Sequence, residues 1–347
     1  MSKLNEMRMY TWNAQGLNYV DHKHSQAEHV PYYKESEGES IKALEEAFDG
    51  KIYGLSEDIK AENKEFRNYS IYRDVKEDRD TERIDLHVNG DNEILTGAID
   101  INVAADTTSS FLVNITGEAG SRLYLNNQIR VNIKDKARVK LVIVTDLPED
   151  TINFLSSTTI LGEESHLDLS YIEVGADYSV VNLKNIMEGD RSIVVEDGVY
   201  FKEKDQFLDL LATNEHYGNE TDSDAMFNGA VKDRAHKNWK GVVDLRKGCF
   251  EADGKIGDYS MMFSNEVKNK TAPILLCAEK EVAGNHAASV GRQNKEMLFY
   301  IISRGFDKKQ AESMMLEAVF SKAIDKVDDE DIRKSLKDKV HQMNIRD

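Results

Sequence analysis

Proline is nearly absent from this 347-residue chain. Three residues (Pro31, Pro148, Pro273) are too few for a stiff, extended linker between units. Cysteine is scarcer still: Cys249 and Cys277 alone exclude a disulfide framework and a four-thiolate metal site. No stretch approaches the roughly 18 consecutive apolar residues of a membrane-crossing helix, so no membrane contact is expected. The opening MSKLNEMRMYTWN lacks the apolar core of a signal peptide, and a cytoplasmic location is expected. Also missing are a GxxxxGKS/T loop, a GxGxxG fingerprint, a GxSxG elbow and an HExxH helix. Those absences count against nucleotide binding by this chain and against the common hydrolases.

Basic charge is in deficit. Against 63 acidic residues stand 45 basic ones, a net charge of −18 that repels phosphate backbones and disfavours nucleic acid as a partner. The deficit is confined to residues 1–292, because 293–347 hold 11 acids and 11 bases. A neutral tail on an acidic body reads either as a second surface with its own role or as helices carrying balanced i,i+4 pairs.

What is present is patterned. Residues 1–75 read as polar and mainly helical, with Ile41, Leu44, Ala47 and Phe48 at helical spacing before Asp49-Gly50 ends the run. From about Thr81 the period changes to two: Ile84, Leu86 and Val88, then Ile99, Ile101 and Val103, then several further sets to Ile193 and Val195. A corner-plus-strand phrase recurs in GEAGSRLYL, KDKARVKLVI, GEESHLDLSY and EGDRSIVVED. It places Leu123, Val139, Leu167 and Ile193 at equivalent points, 16, 28 and 26 residues apart. Such repetition, with only 21 glycines and three prolines for turns, predicts a parallel β-helix over 76–292 rather than a sandwich. Helical periodicity returns over 293–347. Asp307 and Gln310 form a capping box, Ala311, Met314, Met315, Ala318 and Val319 form an apolar stripe, and Ile332, Leu336, Val340 and Met343 mark a last helix. The methionine stripe is either an adaptable docking surface or ordinary core.

Three polar groups compete as sites. DHKHSQAEH gathers His22, His24 and His29, but at a spacing specific to no metal. Glu163, Glu164, His166 and Asp168 project from one strand face, where solvation is the default and an acid-pair glycosidase the alternative. Finally GNHAASVG presents His286 among residues too small to bury it, in what reads as a loop shaped by Gly284, Asn285 and Gly291. His286 is either a soft-metal ligand or a plain loop histidine. Cys277, after the apolar ILL, and Cys249, in KGCFEA, are thiols that are either cluster ligands or buried and inert.

Residues 200–325 resemble the SufB/SufD family of iron–sulfur cluster assembly scaffolds. The match is carried by HKNWKGVVDLRKGCFEADGKI, SNE, KTAPILLC and NHAASVGRQNKEMLFYIISRGFDKKQAESMML. The resemblance implies a right-handed parallel β-helix with helical terminal regions and no enzymatic activity of its own. It also implies a SufB-type partner and a SufC-type ABC ATPase that docks on the C-terminal helices, where Met314, Met315 and Val319 lie. SufB-type members carry a cysteine that this matching places within GDYSMM, where this chain has Asp258, Tyr259 and Ser260. They also tend to flank the histidine with glutamates, where Asn285 and Ala287 stand here. Both departures resemble the SufD branch. His286 then corresponds to a histidine of a shared site for a transient cluster or iron, with Cys277 a lesser candidate. The alternatives are a SufB-like or combined scaffold acting as a homodimer and, more distantly, a carbohydrate-active β-helix enzyme.

Overall fold

Left-handed residues turn most of the described corners of this molecule. The structure, a computed structural model, describes residues 3–10, 13–22, 27–31, 33, 39–119, 123–292 and 294–343. A short antiparallel pair, β1 (Lys3–Leu4) with β2 (Val20–Asp21), and two helices, α1 (Lys42–Phe48) and α2 (Glu57–Glu65), precede the main body.

Sixteen strands then alternate between two parallel sheets. One sheet holds β3 (Tyr69–Val75), β5 (Ile94–Val103), β7 (Leu123–Ile133), β9 (Thr151–Leu161), β11 (Tyr178–Met187), β13 (Phe207–His216), β15 (His236–Leu245) and β17 (Lys268–Cys277). The other holds β4 (Thr81–Val88), β6 (Thr108–Gly117), β8 (Arg138–Leu147), β10 (His166–Gly175), β12 (Ile193–Lys202), β14 (Asp222–Val231), β16 (Asp253–Met262) and β18 (Ala283–Arg292). Each strand pairs only with the strand two places before and after it, which makes a parallel β-solenoid of about eight turns. The expected β-helix is therefore the observed core, and it begins at Tyr69 rather than at 76.

Alternating apolar residues face inward as the period of two requires. Ile84, Leu86, Ile99, Ile101, Val139, Leu141, Leu167 and Leu169 all join one continuous lumen core. The expected equivalence holds for Val139 and Leu167, which pair directly. It fails for Ile193, since Leu167 pairs with Val194, and for Leu123, which lies in the opposite sheet. Strand β12 turns Val194 and the carboxyl of Glu196 inward, leaving Ile193 38% exposed, so its apolar residues point the wrong way for a hydropathy reading. Counted from Val139, equivalent points fall at Leu167, Val194, Ser223, Gly254 and Gly284.

The corners explain why so few glycines and prolines suffice. Asp106, Lys136, Glu164, Arg191, Glu220 and Glu251 each adopt φ between 53° and 60°. That conformation costs an L-residue about 1–2 kcal/mol. Each donates its N–H to the corner carbonyl of the next turn: Asp135, Glu163, Asp190, Asn219, Phe250 and Glu281, at 2.7–3.0 Å. The hydrogen bond between turns offsets the strain, so charged residues serve where a lone β-turn would want glycine. Glycine is obligatory where corners touch: a Cβ on Gly189 would stand 2.0 Å from the backbone of Gly162 and Glu163.

The outer sheet faces are also covered. Helix α1 follows Ile41 and stops at Asp49-Gly50, where Gly50 has φ +68°. Arg130 of β7 binds it, bridging Asp100 at 2.7 Å and Glu45 at 2.6 Å. Helix α2, capped by Ser56, packs Ile59 beside Tyr124 and Phe154. The rest of the described N-terminal stretch is mostly extended or irregular, a correction to the mainly helical reading. Its charged residues over 55–75 split between α2 and a strand whose inward Ile71 is fully buried.

On the opposite face lie α3 (Lys295–Ser303), α4 (Lys308–Ile324) and α5 (Glu330–Met343). Both halves of the Asp307–Gln310 capping box form. The apolar stripe is rotated from the expected one. Ala311, Ser313, Met315, Leu316, Phe320, Ala323 and Ile324 are buried, whereas Met314 and Ala318 face solvent. Phe320, which the expected stripe leaves out, is fully buried in the core that the helices share with Ile172, Val199 and Phe201. Lys322 and Lys326 both bind Asp197 at 2.5 Å, and Lys326 also reaches Asp168 at 2.7 Å.

Candidate functional site at the open end of the solenoid

The two ends of the solenoid differ. At the first turn Tyr33 closes the lumen, its N–H donating to Asn68 and its hydroxyl accepting from His87 N–H at 2.7 Å. At the eighth turn β17 and β18 are the last strands of their sheets, and among the described residues each has one neighbouring strand. Their outer N–H and C=O groups form an unpaired edge, the template for strand addition.

GNHAASVG is the body of β18 and not the expected loop. Small residues suit it because the terminal turn has no further turn to pack against. Strand register sets His286 over Ile256, Ala288 over Asp258 and Asn285 over Lys255. Gly284 faces the lumen, where a Cβ would meet Leu275 at 2.7 Å. Alternation puts His286, Ala288 and Val290 on that same inward face, while Asn285, Ala287 and Gly291 point the other way. His286 is exposed, an imidazole on the rim of an uncapped lumen. His216 is its opposite. Fully buried, it is held by Thr221 and Ser223 at 2.8 Å each, and burial pushes its pKa down to about 4.

Directly below the rim lies a buried ion network. Lys237 of β15 and Asp258 of β16 pair with no exposed side-chain surface. Asp258 also accepts from Tyr200 at 2.7 Å, Ser260 at 2.9 Å and Thr271 at 2.7 Å. The Lys237 ammonium donates further to Thr271 at 2.7 Å, Ser260 at 3.0 Å and Asn269 at 3.1 Å. Burial lowers the Lys237 pKa against the pull of Asp258, and burial with the nearby Asp258 charge raises that of Tyr200. Sequence reasoning singled out Asp258 but missed Lys237. The signal was its phase, since Lys237 shares the parity of Trp239, Val243 and Leu245 on an inward face.

The remaining candidates scatter. Cys277 is exposed at the end of β17, paired with Leu245. Since Leu275 meets Gly284, His286 lies opposite Pro273, four residues or ~13 Å of strand from Cys277. Cys249 is buried. Met315 is core, Val319 is partly buried against the helix–sheet core and Met314 is 43% exposed. Glu163 and Glu164 are ion-paired to Arg191, and Asp168 binds Lys326, just past the end of α4. His22 packs on Phe154 and His29 on Phe66, while His24 lies outside the described residues. Among the described residues no three His, Cys, Asp or Glu side chains converge as a ready-made metal cage.

Helix α3, which follows β18, buries none of its described residues. Met297, Phe299, Tyr300 and Ile302 are 38–73% exposed. These apolar side chains are left uncovered, as are Val290 of β18 and Tyr259 of β16.

The sequence matches a family model, SUF system FeS cluster assembly, SufBD core domain, over residues 86–319. That span runs from β4 into α4 and takes in the whole open end. The chain belongs to the SufBD family. Relatives of this SufBD chain include an iron–sulfur cluster assembly SufBD family protein of Mycobacterium leprae. It is 24% identical over 65% of this chain and 59% of the relative. The iron–sulfur cluster assembly protein SufD of Bacillus subtilis is 29% identical over 35% of this chain and 28% of its own length. The SufD of Escherichia coli is 17% identical over 70% and 57% respectively. Thus the chain spans about six tenths, or less, of these three relatives. No helix among the described residues is long and apolar enough to cross a membrane.

Proposed function

We propose that this SufBD chain is a SufD-like, non-catalytic component of a cytoplasmic iron–sulfur cluster assembly complex. Its eighth turn adds edge to edge onto a SufB-type scaffold. The observation that carries this reading is the bare terminal turn with His286 on its rim. An unpaired edge joined to a second solenoid would set the imidazole beside ligands from the partner, forming a site for a transient cluster or iron that neither chain holds alone. Asp258, below Ala288, supplies a carboxylate locked in an ion pair rather than a free thiolate ligand, which favours the accessory over the cluster-holding role.

The exposed helix α3 and Met314 offer apolar surface to a SufC-type ABC ATPase. Lys322 and Lys326 tie the helical unit to Asp197 and Asp168, so a pull on the helices is transmitted to the solenoid wall. Anaerobic co-purification with SufB-type and SufC-type chains tests the assembly. His286→Ala should leave the complex intact and lower its cluster yield at least tenfold. Full cluster formation by the variant would remove the ligand role. A chain that yields only homodimers carrying a cluster would favour the combined scaffold.

A further inference from the structure

The chain's two cysteines lie on successive turns of one corner. Cys277 ends β17 in register with Leu245, and Cys249 follows Leu245 by four residues. The corner holding Cys249, 246–252, is seven residues long, whereas the stacked corners 217–221 and 278–282 have five. Its extra length folds back on itself: Cys249 N–H donates to Arg246 O at 3.3 Å and Ala252 N–H to Cys249 O at 3.4 Å. The excursion turns Cys249 into the core, fully buried. Three hydrogen bonds fasten this corner to the one above. Gly248 N–H donates to Glu279 Oε2 at 3.0 Å, Glu251 N–H to Glu281 O at 2.7 Å, and Ala283 N–H to Ala252 O at 2.8 Å. Cys277, exposed, donates its thiol to Glu279 O at 3.0 Å.

We propose that Cys249 and Cys277 form a redox-responsive dithiol that closes to an intramolecular disulfide, clipping the eighth turn to the seventh. The chemistry is asymmetric. Burial, then the nearby Glu279, Cys277 and Asp244, raises the pKa of the Cys249 thiol, so it stays protonated and shielded from bulk reagents. Cys277 is the accessible sulfur. Its thiolate attacks hydrogen peroxide, forming an S–O bond as the O–O bond breaks; the hydroxide that leaves takes up the proton the thiol released, giving one water. The Cys249 sulfur then displaces the hydroxyl from that sulfenic acid, forming the S–S bond, and its proton departs with the hydroxyl as a second water. Two thiols are oxidised and one peroxide reduced. The eighth turn, with no turn above it, is able to shift toward the geometry a disulfide demands. This inference stands whether or not the assembly role holds.

The test treats the reduced full chain with hydrogen peroxide in slight excess and maps peptides without reduction. The expected product is about 2 Da lighter, with one Cys249–Cys277 cross-linked peptide at a yield independent of protein concentration. Its thermal midpoint rises and returns on adding dithiothreitol. Cys249→Ser should divert Cys277 to sulfinic acid or to a chain-to-chain dimer. If the oxidised wild type keeps Cys249 alkylatable after unfolding while Cys277 is over-oxidised or dimerised, the pair is not a switch. That experiment needs no variant, so a misfolded mutant cannot mask the result.

Discussion

Replacing Glu196 by glutamine should stabilise the protein, and by an amount that depends on pH. Glu196 faces the lumen with no exposed surface. Asn185 Nδ2 donates to its Oε2 at 3.3 Å, whereas its Oε1 has no partner among the described residues. Among the described residues no cation is paired with it, in contrast to Glu173, which meets Lys202 at 2.7 Å in the same lumen. Burial foremost, with the neighbouring Asp197 charge, pushes its pKa up to about 8, and the Asn214 amide opposes this. The carboxyl is therefore protonated in the fold and ionised in the unfolded chain across the interval from about 4.5 to about 8.

In that interval the unfolded state binds fewer protons, so stability falls as pH rises. The penalty is absent below about pH 4.5 and complete above about pH 8. At about 1.4 kcal/mol per tenfold change in proton affinity, it approaches ~5 kcal/mol at pH 8 and ~3 kcal/mol at pH 7. Glutamine keeps the size and the acceptor for Asn185 but cannot ionise. Urea unfolding at pH 5 and pH 8, followed by circular dichroism, is the assay. Glu196→Gln should match the wild type within about 1 kcal/mol at pH 5 and exceed it by several kcal/mol at pH 8. An equal difference at both pH values would mean that Glu196 is hydrated or paired, and the reasoning would fail.

Other perturbations test the coverings and corners. Arg130→Met strands the carboxylate of Asp100 and should cost about 3–5 kcal/mol by chemical denaturation, with α1 the first segment to gain amide exchange. Phe320→Ala removes the centre of the helix–sheet core. A loss of about 3–5 kcal/mol there should appear as rapid proteolysis between α3 and α4 while the solenoid resists. Gly189→Ala forces a methyl against the Gly162 backbone and should lower the thermal midpoint by more than 10 °C, whereas the same change at the open Gly291 should be neutral.

The solenoid was legible because its signal is local. Alternation in β4, β5, β8 and β10 needs only the lumen on one side, and the capping box of α4 is written in four residues. The errors came where polarity and position part company. Glu196 and Lys237 sit inside because of partners or protonation that hydropathy does not record, so β12 was read one residue out of phase. The helix stripe slipped for a related reason: Met314 looks apolar, but Phe320 and Leu316 decide which face meets the sheet. At the open end His286 stood out because of what surrounds it, but its neighbours read as a loop. A terminal strand without a cover has no inward hydrophobic pattern to announce it. The corners announced themselves as a recurring phrase, but their left-handed conformation did not, since Lys, Glu and Arg carry no such signature unless the next turn's carbonyl is there to receive the N–H.

Helix α4 spans 17 residues, or ~25 Å, about five strand spacings. It packs directly on β10, β12 and β14, and the core it shares with α5 runs from Leu112 on β6 to Ala230 on β14. It thus acts as a splint across the middle of a stack in which each turn otherwise touches only its neighbours. Strands β16 and β18 add no buried residue to that core. The molecule therefore behaves as a braced shaft with a compliant tip, and a load applied through the helices leaves the shaft intact while the last two turns are able to flex.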